Sequence, residues 1–131
     1  MEIRIEHIGM WVKNLEKQKA FYEKYFQARA GEKYINRQKN FQSYFLSFDG
    51  GARLELMSNP EIPNSTNDSL RQSIGLIHFA ISIGSPEKVD QLTSELKKSG
   101  FEVLDGPRTT GDGYYESVII DPEGNRIEIT V

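Results

Sequence analysis

Phe48-Asp49-Gly50-Gly51-Ala52-Arg53-Leu54-Glu55-Leu56 and Ile120-Asp121-Pro122-Glu123-Gly124-Asn125-Arg126-Ile127-Glu128-Ile129 are two copies of one pattern. Each has an apolar strand end, an Asp-led turn with glycine, and a second strand reading Arg-apolar-Glu-apolar. Asp-Gly between apolar runs is a hairpin signal, so each copy predicts two adjacent antiparallel strands. A repeated supersecondary unit is harder to obtain by chance than a single motif.

Working outward, each hairpin is preceded by the same elements. Residues 3–12 alternate in the manner of a strand and contain His7; residues 75–83 do the same and contain His78. Asn14 then predicts an N-cap for a helix over about 15–27, whose apolar face is Leu15, Phe21, Tyr22, Tyr25 and Phe26. In the second copy Ser85-Pro86-Glu87 gives an N-cap with proline at the first helical position, followed by a Val89, Leu92, Leu96 stripe ended by Gly100. Extended stretches are expected near 31–37, 41–48, 52–57, 101–104, 117–120 and 126–131, with a glycine-rich loop at 106–113. The chain therefore reads as α+β: two tandem βαβββ modules forming a curved mixed sheet around a metal site. Module 1–58 and module 74–131 are joined by the polar loop 59–73 in one domain spanning 1–131.

The metal expectation rests on the two histidines, the only ones in the chain. Glu55 follows His7 by 48 residues and Glu128 follows His78 by 50. Strand side chains alternate between faces. Ile8, Met10 and Val12 share one face with Leu54 and Leu56, which leaves His7, Gly9, Trp11 and Glu55 on the other. Ile77, Phe79, Ile81, Ile127 and Ile129 likewise leave His78 and Glu128 opposite them. Two imidazoles and two carboxylates form a ligand set for one divalent ion, with Ni, Zn, Co, Mn and Fe all suited.

Composition narrows the alternatives. The 131 residues are 37% hydrophobic and 27% charged, in the range of a globular protein. A net charge of −3 with no basic cluster disfavours nucleic acid. The absence of cysteine removes thiolate nucleophiles and thiolate metal sites, leaving His and carboxylates as ligands. No run approaches 18 apolar residues, so no membrane partner is expected, and a cytoplasmic location is the default. A chain this small buries a modest share of its surface, which makes a homodimer the expected assembly.

The βαβββ order, the paired histidines and Asp121-Pro122-Glu123-Gly124-Asn125-Arg126-Ile127-Glu128 together resemble the vicinal oxygen chelate superfamily, the glyoxalase/bleomycin-resistance/dioxygenase group. The last segment is similar to the D-P-x-G…E hairpin whose glutamate ligates metal in that superfamily. The set His7, Glu55, His78, Glu128 is most similar to bacterial-type glyoxalase I (lactoylglutathione lyase). That resemblance implies a lyase/isomerase that turns a 2-oxoaldehyde–thiol hemithioacetal, such as a methylglyoxal adduct, into a 2-hydroxyacyl thioester. Glu128 would be the base and Glu55 the alternative proton carrier. Asn59 matches a glutathione-contacting asparagine, and Trp11, Arg53 and Tyr114 are expected to line the substrate. Trp11 stands where those enzymes carry an arginine that contacts glutathione, so the thiol is left open. The alternatives are a fosfomycin-type thiol transferase or an epimerase of the same superfamily, and a non-catalytic, bleomycin-resistance-like drug binder.

Overall fold

A computed structural model describes residues 1–131. The chain divides into two compact units, Met1–Ser65 and Thr66–Val131. The first contains β1 (His7–Trp11), α1 (Leu15–Phe26), β2 (Arg29–Ala30), β3 (Tyr34–Asn36), β4 (Phe41–Ser47) and β5 (Arg53–Ser58). The second contains β6 (His78–Ser82), α2 (Pro86–Lys98), β7 (Val103–Thr109), β8 (Tyr115–Ile120) and β9 (Arg126–Thr130). This is the α+β class, with the expected βαβββ order in the second unit and one additional short strand after the helix in the first. Each unit has its own mixed sheet, ordered β1-β5-β4-β2 with β3 also on β4, and β6-β9-β8-β7. In each, the first strand lies parallel to the last, and the remaining pairs are antiparallel. Parallel neighbours need a long crossover, and the helix that follows β1 or β6 starts that connection. No helix is long and apolar enough to cross a membrane.

The caps form as the sequence indicates. Asn14 Oδ1 accepts from the Lys17 amide at 3.0 Å, and Ser85 Oγ accepts from the Lys88 amide at 3.3 Å. Helix α1 ends at Gln27, which takes up a left-handed conformation with φ 56°. Its inner face is Leu15, Gln18, Phe21, Tyr22 and Phe26; Tyr25 is only half-buried. Ile127 and Ile129 are fully out of solvent, as are Leu56 and Leu46 of the other sheet. Each such side chain contributes roughly 1.5–3 kcal/mol.

Several boundaries differ from the sequence reading, among them the starts of β6 at His78 rather than 75 and of β8 at Tyr115 rather than 117. β1 begins at His7 rather than residue 3, because its partner β5 begins at Arg53 and offers no ladder beyond it; Ile3 and Ile5 are left exposed. The stretch 31–37 holds only β3 (Tyr34–Asn36), and a second short strand, β2, precedes it at Arg29–Ala30; both pair with β4. The glycine-rich stretch is not all loop: β7 runs on to Thr109, its pairing with β8 absorbing two register shifts around Gly106.

Two polar contacts fix the helices to their sheets. Thr93, not Leu92, is the buried middle residue of α2, and its Oγ1 hydrogen-bonds both the Val89 carbonyl (2.6 Å) and Ser117 Oγ (2.7 Å). Thr93→Val keeps the shape but leaves the Ser117 hydroxyl without that partner, and is expected to lower unfolding stability by about 1–3 kcal/mol in urea titrations. In the first unit the buried Tyr44 hydroxyl donates to Glu16 Oε1 at 2.6 Å. That bond, helped by burial, pushes the phenol up to about 12. The unfolded chain releases this proton near pH ~10, so between about 10 and 12 the folded state holds the extra proton. Stability should therefore fall as pH rises through that window. Tyr44→Phe should flatten this part of the stability–pH curve.

Candidate metal centre

In the first unit β1 and β5 run in a register that pairs His7 with Arg53 and Gly9 with Glu55. His7 Nε2 lies 3.7 Å from Glu55 Oε1. The other ring nitrogen, Nδ1, donates to Glu6 Oε1 at 3.0 Å. Glu6 in turn receives a two-pronged contact from Arg53, Nε to Oε2 at 2.9 Å and Nη2 to Oε1 at 2.5 Å. The Arg53 hydrogen bonds, followed by that from His7, hold the Glu6 carboxyl at about 2. A histidine oriented by a carboxylate on its far nitrogen is the usual arrangement around metal-ligating imidazoles. Phe45 backs the pair, its ring 5.2 Å from the His7 ring, edge-on, and 4.1 Å beneath the Arg53 guanidinium. Further along this face Trp11 meets Phe41 edge-on at 5.9 Å, and Tyr34 lies 6.0 Å from Phe41. Trp11 and Tyr34 remain 45% and 55% exposed, an aromatic surface beside the His/Glu pair.

The second unit repeats the register residue for residue: His78 pairs with Arg126 and Ala80 with Glu128. His78 Nε2 lies 3.2 Å from Glu128 Oε2. The surroundings differ. Glu116, on β8, shares the Glu128 face, since Glu116 faces Thr130 and Val118 faces Glu128 in the ladder. Burial, and then the neighbouring Glu128 carboxyl, push the Glu116 carboxyl up from its ordinary value. Arg126 donates from Nη1 to the Ser69 carbonyl at 2.9 Å and has no carboxylate partner. The hairpin behind Glu128 is tied by the buried Asp121, whose Oδ1 accepts from the backbone amides of Glu123 and Asn125 at 2.9 and 3.0 Å.

The remaining expected substrate contacts fall out as follows. Trp11 is on the histidine face, as parity required. Arg53 is on that face too, but its Nε and Nη2 are occupied by Glu6. Both ends of the Asn59 amide are used locally, Nδ2 on the Lys39 carbonyl and Oδ1 on the Glu61 amide. Tyr114 is 57% exposed on the turn before β8. Glu6 and Glu116 were not among the expected site residues, whereas Arg126, two residues before Glu128 as Arg53 is before Glu55, shares the expected inner face. Glu116 was hidden by reading β8 from Ser117; extending the two-residue alternation back by one step places it with Glu128.

Within neither unit does a third His, Asp or Glu join a pair so as to hold a metal ion. Each unit instead presents one imidazole Nε2 and one carboxylate within 4 Å of each other on a sheet face. Those donor types fit half of a nitrogen/oxygen set for a borderline divalent ion.

Known proteins share the fold of this chain. It is similar to the trypanothione-dependent glyoxalase I of Leishmania major, at 19% identity over 98% of this chain and 86% of that one, with a TM-score of 0.77. A glyoxalase family protein from Enterococcus faecalis is 23% identical over 99% and 97% of the two chains, with a TM-score of 0.72. A glyoxalase I variant from Zea mays is 23% identical over 97% of this chain but 44% of its own length, with a TM-score of 0.77. At these identities the likeness is one of fold. No curated protein matches the chain significantly. The profile of the Glyoxalase/Bleomycin resistance protein/Dioxygenase superfamily matches residues 4–129, nearly the whole sequence and both histidine–glutamate pairs, and the chain therefore belongs to that superfamily.

Proposed function

We propose that the chain is a metal-dependent, glyoxalase I-like lyase acting on the hemithioacetal of a 2-oxoaldehyde and a small thiol, as a cytoplasmic homodimer. The observation that carries this reading is the repeated register, which gives each unit a His/Glu pair in the same strand positions. His7, Glu55, His78 and Glu128 would supply the ligands. When bound, a divalent ion supplies a Lewis acid for the negative charge that develops beside the carbonyl, a contribution of several kcal/mol. The chain's carboxylates do the proton work: Glu128 takes the proton from the carbon bearing sulfur and oxygen, and a carboxyl group returns one to the neighbouring carbon. Glu55 is the second carrier. Glu116, its carboxyl pushed up by burial and by Glu128, lies on the same face. The net change is a hydrogen shift between adjacent carbons, with no redox partner.

The test is formation of the thioester absorbance from methylglyoxal premixed with glutathione, and with 2-mercaptoethanol, after loading with Ni, Co, Zn, Mn or Fe. Turnover with any pairing, lost in Glu128→Gln, supports the proposal; no turnover with any metal or thiol refutes it. A second reading, non-catalytic binding of a planar aromatic compound, is favoured by the exposed Trp11 and Tyr34, which flank the half-buried Phe41. It predicts quenching of the lone tryptophan by such a compound in protein that turns over nothing.

A further inference from the structure

The two units are the same in strand register and different in charge around it. Arg53 and Arg126 occupy equivalent places, each paired across the ladder with the histidine of its unit. In the first unit the Glu6 carboxylate fills the Nε/Nη2 edge of Arg53 and also accepts from His7 Nδ1. The residue before the second histidine is Ile77, so the equivalent carboxylate is missing. Arg126 shows the consequence. Its Nε–H is out of solvent with no acceptor, and its one hydrogen bond leaves from Nη1. A buried guanidinium N–H with no acceptor is destabilising and therefore uncommon. The neighbouring acids do not satisfy it: Asp105 is held by Arg108 through contacts of 2.9–3.0 Å, and Glu116 sits at the other end of the β8–β9 ladder.

We infer that the second unit binds a carboxylate from outside the chain on the Nε/Nη2 edge of Arg126 and on His78 Nδ1, where Glu6 serves in the first unit. The small molecule taken by this protein thus carries a carboxylate, read by the planar two-donor fork that arginine alone presents. Glu6 is the template for its pose. Entry is through the segment ahead of β6. Ser69, which caps Nη1, lies there, and Leu70, Ile74 and Leu76 nearby are 63%, 107% and 80% exposed, so few buried contacts hold the segment down. Binding of the carboxylate stands without the metal reading, because no metal ligand is altered and its readout is spectroscopic; its assignment to the substrate rests on the proposed function.

The test is arginine side-chain 1H–15N spectroscopy of the full chain, with and without Zn²⁺, titrated with sodium acetate against sodium chloride at matched ionic strength. Acetate is expected to move the Arg126 Nε–H resonance saturably and leave that of Arg53, already bonded, in place. Ile77→Glu, which gives the second unit the carboxylate of the first, should abolish the response, and Arg126→Lys should weaken acetate binding about tenfold or more. An Arg126 resonance that ignores acetate, that moves equally with chloride, or that responds undiminished in Ile77→Glu would overturn the inference. In turnover, Arg126→Lys should raise KM about tenfold for the methylglyoxal adduct of mercaptoacetate and leave that of 2-mercaptoethanol unchanged. Equal effects on both would overturn the assignment to substrate.

Discussion

His78→Ala is expected to cost the protein its divalent metal and at least about 100-fold of its turnover. Altering even the outer partners of a metal site lowers affinity about 10–100-fold, and loss of a ligand should do no less. The Lewis-acid contribution lost with the ion, several kcal/mol, corresponds to the same order in rate. The side chain is 37% exposed and its ion-pair partner is Glu128, so the fold should survive its truncation. Glu55→Gln should act in the same direction from the other unit. Elemental analysis of the purified proteins, with wild type and Glu16→Gln beside them, reads the result directly; Glu16 bonds Tyr44 and has no place among the ligands. Thermal melting gives a second readout, since an ion at about 100 times its Kd adds about 2.7 kcal/mol to the native state. Metal retained in both variants, or a wild type that takes up none of the five ions, would remove the four-ligand reading.

The ligand candidates were legible because strand parity is a local property. Leu54 and Leu56, or Ile127 and Ile129, must turn inward, and the glutamates between them then turn outward with the histidines. The caps at Asn14 and Ser85 were legible for the same reason, each depending on a side chain and an amide three residues apart. What the sequence concealed depends on pairing. The start of β1 is set by where β5 begins, 46 residues later. The surroundings of Arg53 depend on Glu6, and the missing acceptor at Arg126 Nε goes with Ile77 standing where the first unit has that glutamate. Two arginines alike in sequence context thus differ in their partners, one bonded to a carboxylate and one with a buried Nε that has no acceptor. Nor does residue pattern show that Asn59 uses both ends of its amide on the backbone.

Gly106→Ala is expected to be the most destabilising single-methyl change in the second unit. Gly106 has φ +77°, and a Cβ built on it would lie 2.5 Å from the carbonyl oxygen of Glu116, with the Arg108 amide and Ser117 Cα both at 3.1 Å. All three are backbone atoms of the β7–β8 pairing, so no side chain can rotate away and the strands themselves must part. The left-handed conformation adds roughly 1–2 kcal/mol for any residue with a Cβ. Together these predict a loss of about 3 kcal/mol or more and a melting temperature lower by roughly 10 °C. Gly124→Ala is the matched control: its φ of +89° is equally left-handed, but nothing lies within 4 Å of the added carbon. It should lose only the conformational part, about 1–2 kcal/mol. Equal losses in urea unfolding of the two variants would show that the strands absorb the methyl, and that close approach of β7 to β8 is not what requires glycine. The expected difference has a functional side as well. The displaced carbonyl belongs to Glu116, and β8 carries that displacement to β9 and Glu128, so Gly106→Ala should disturb the carboxyl pair beside His78 while Gly124→Ala leaves it in register.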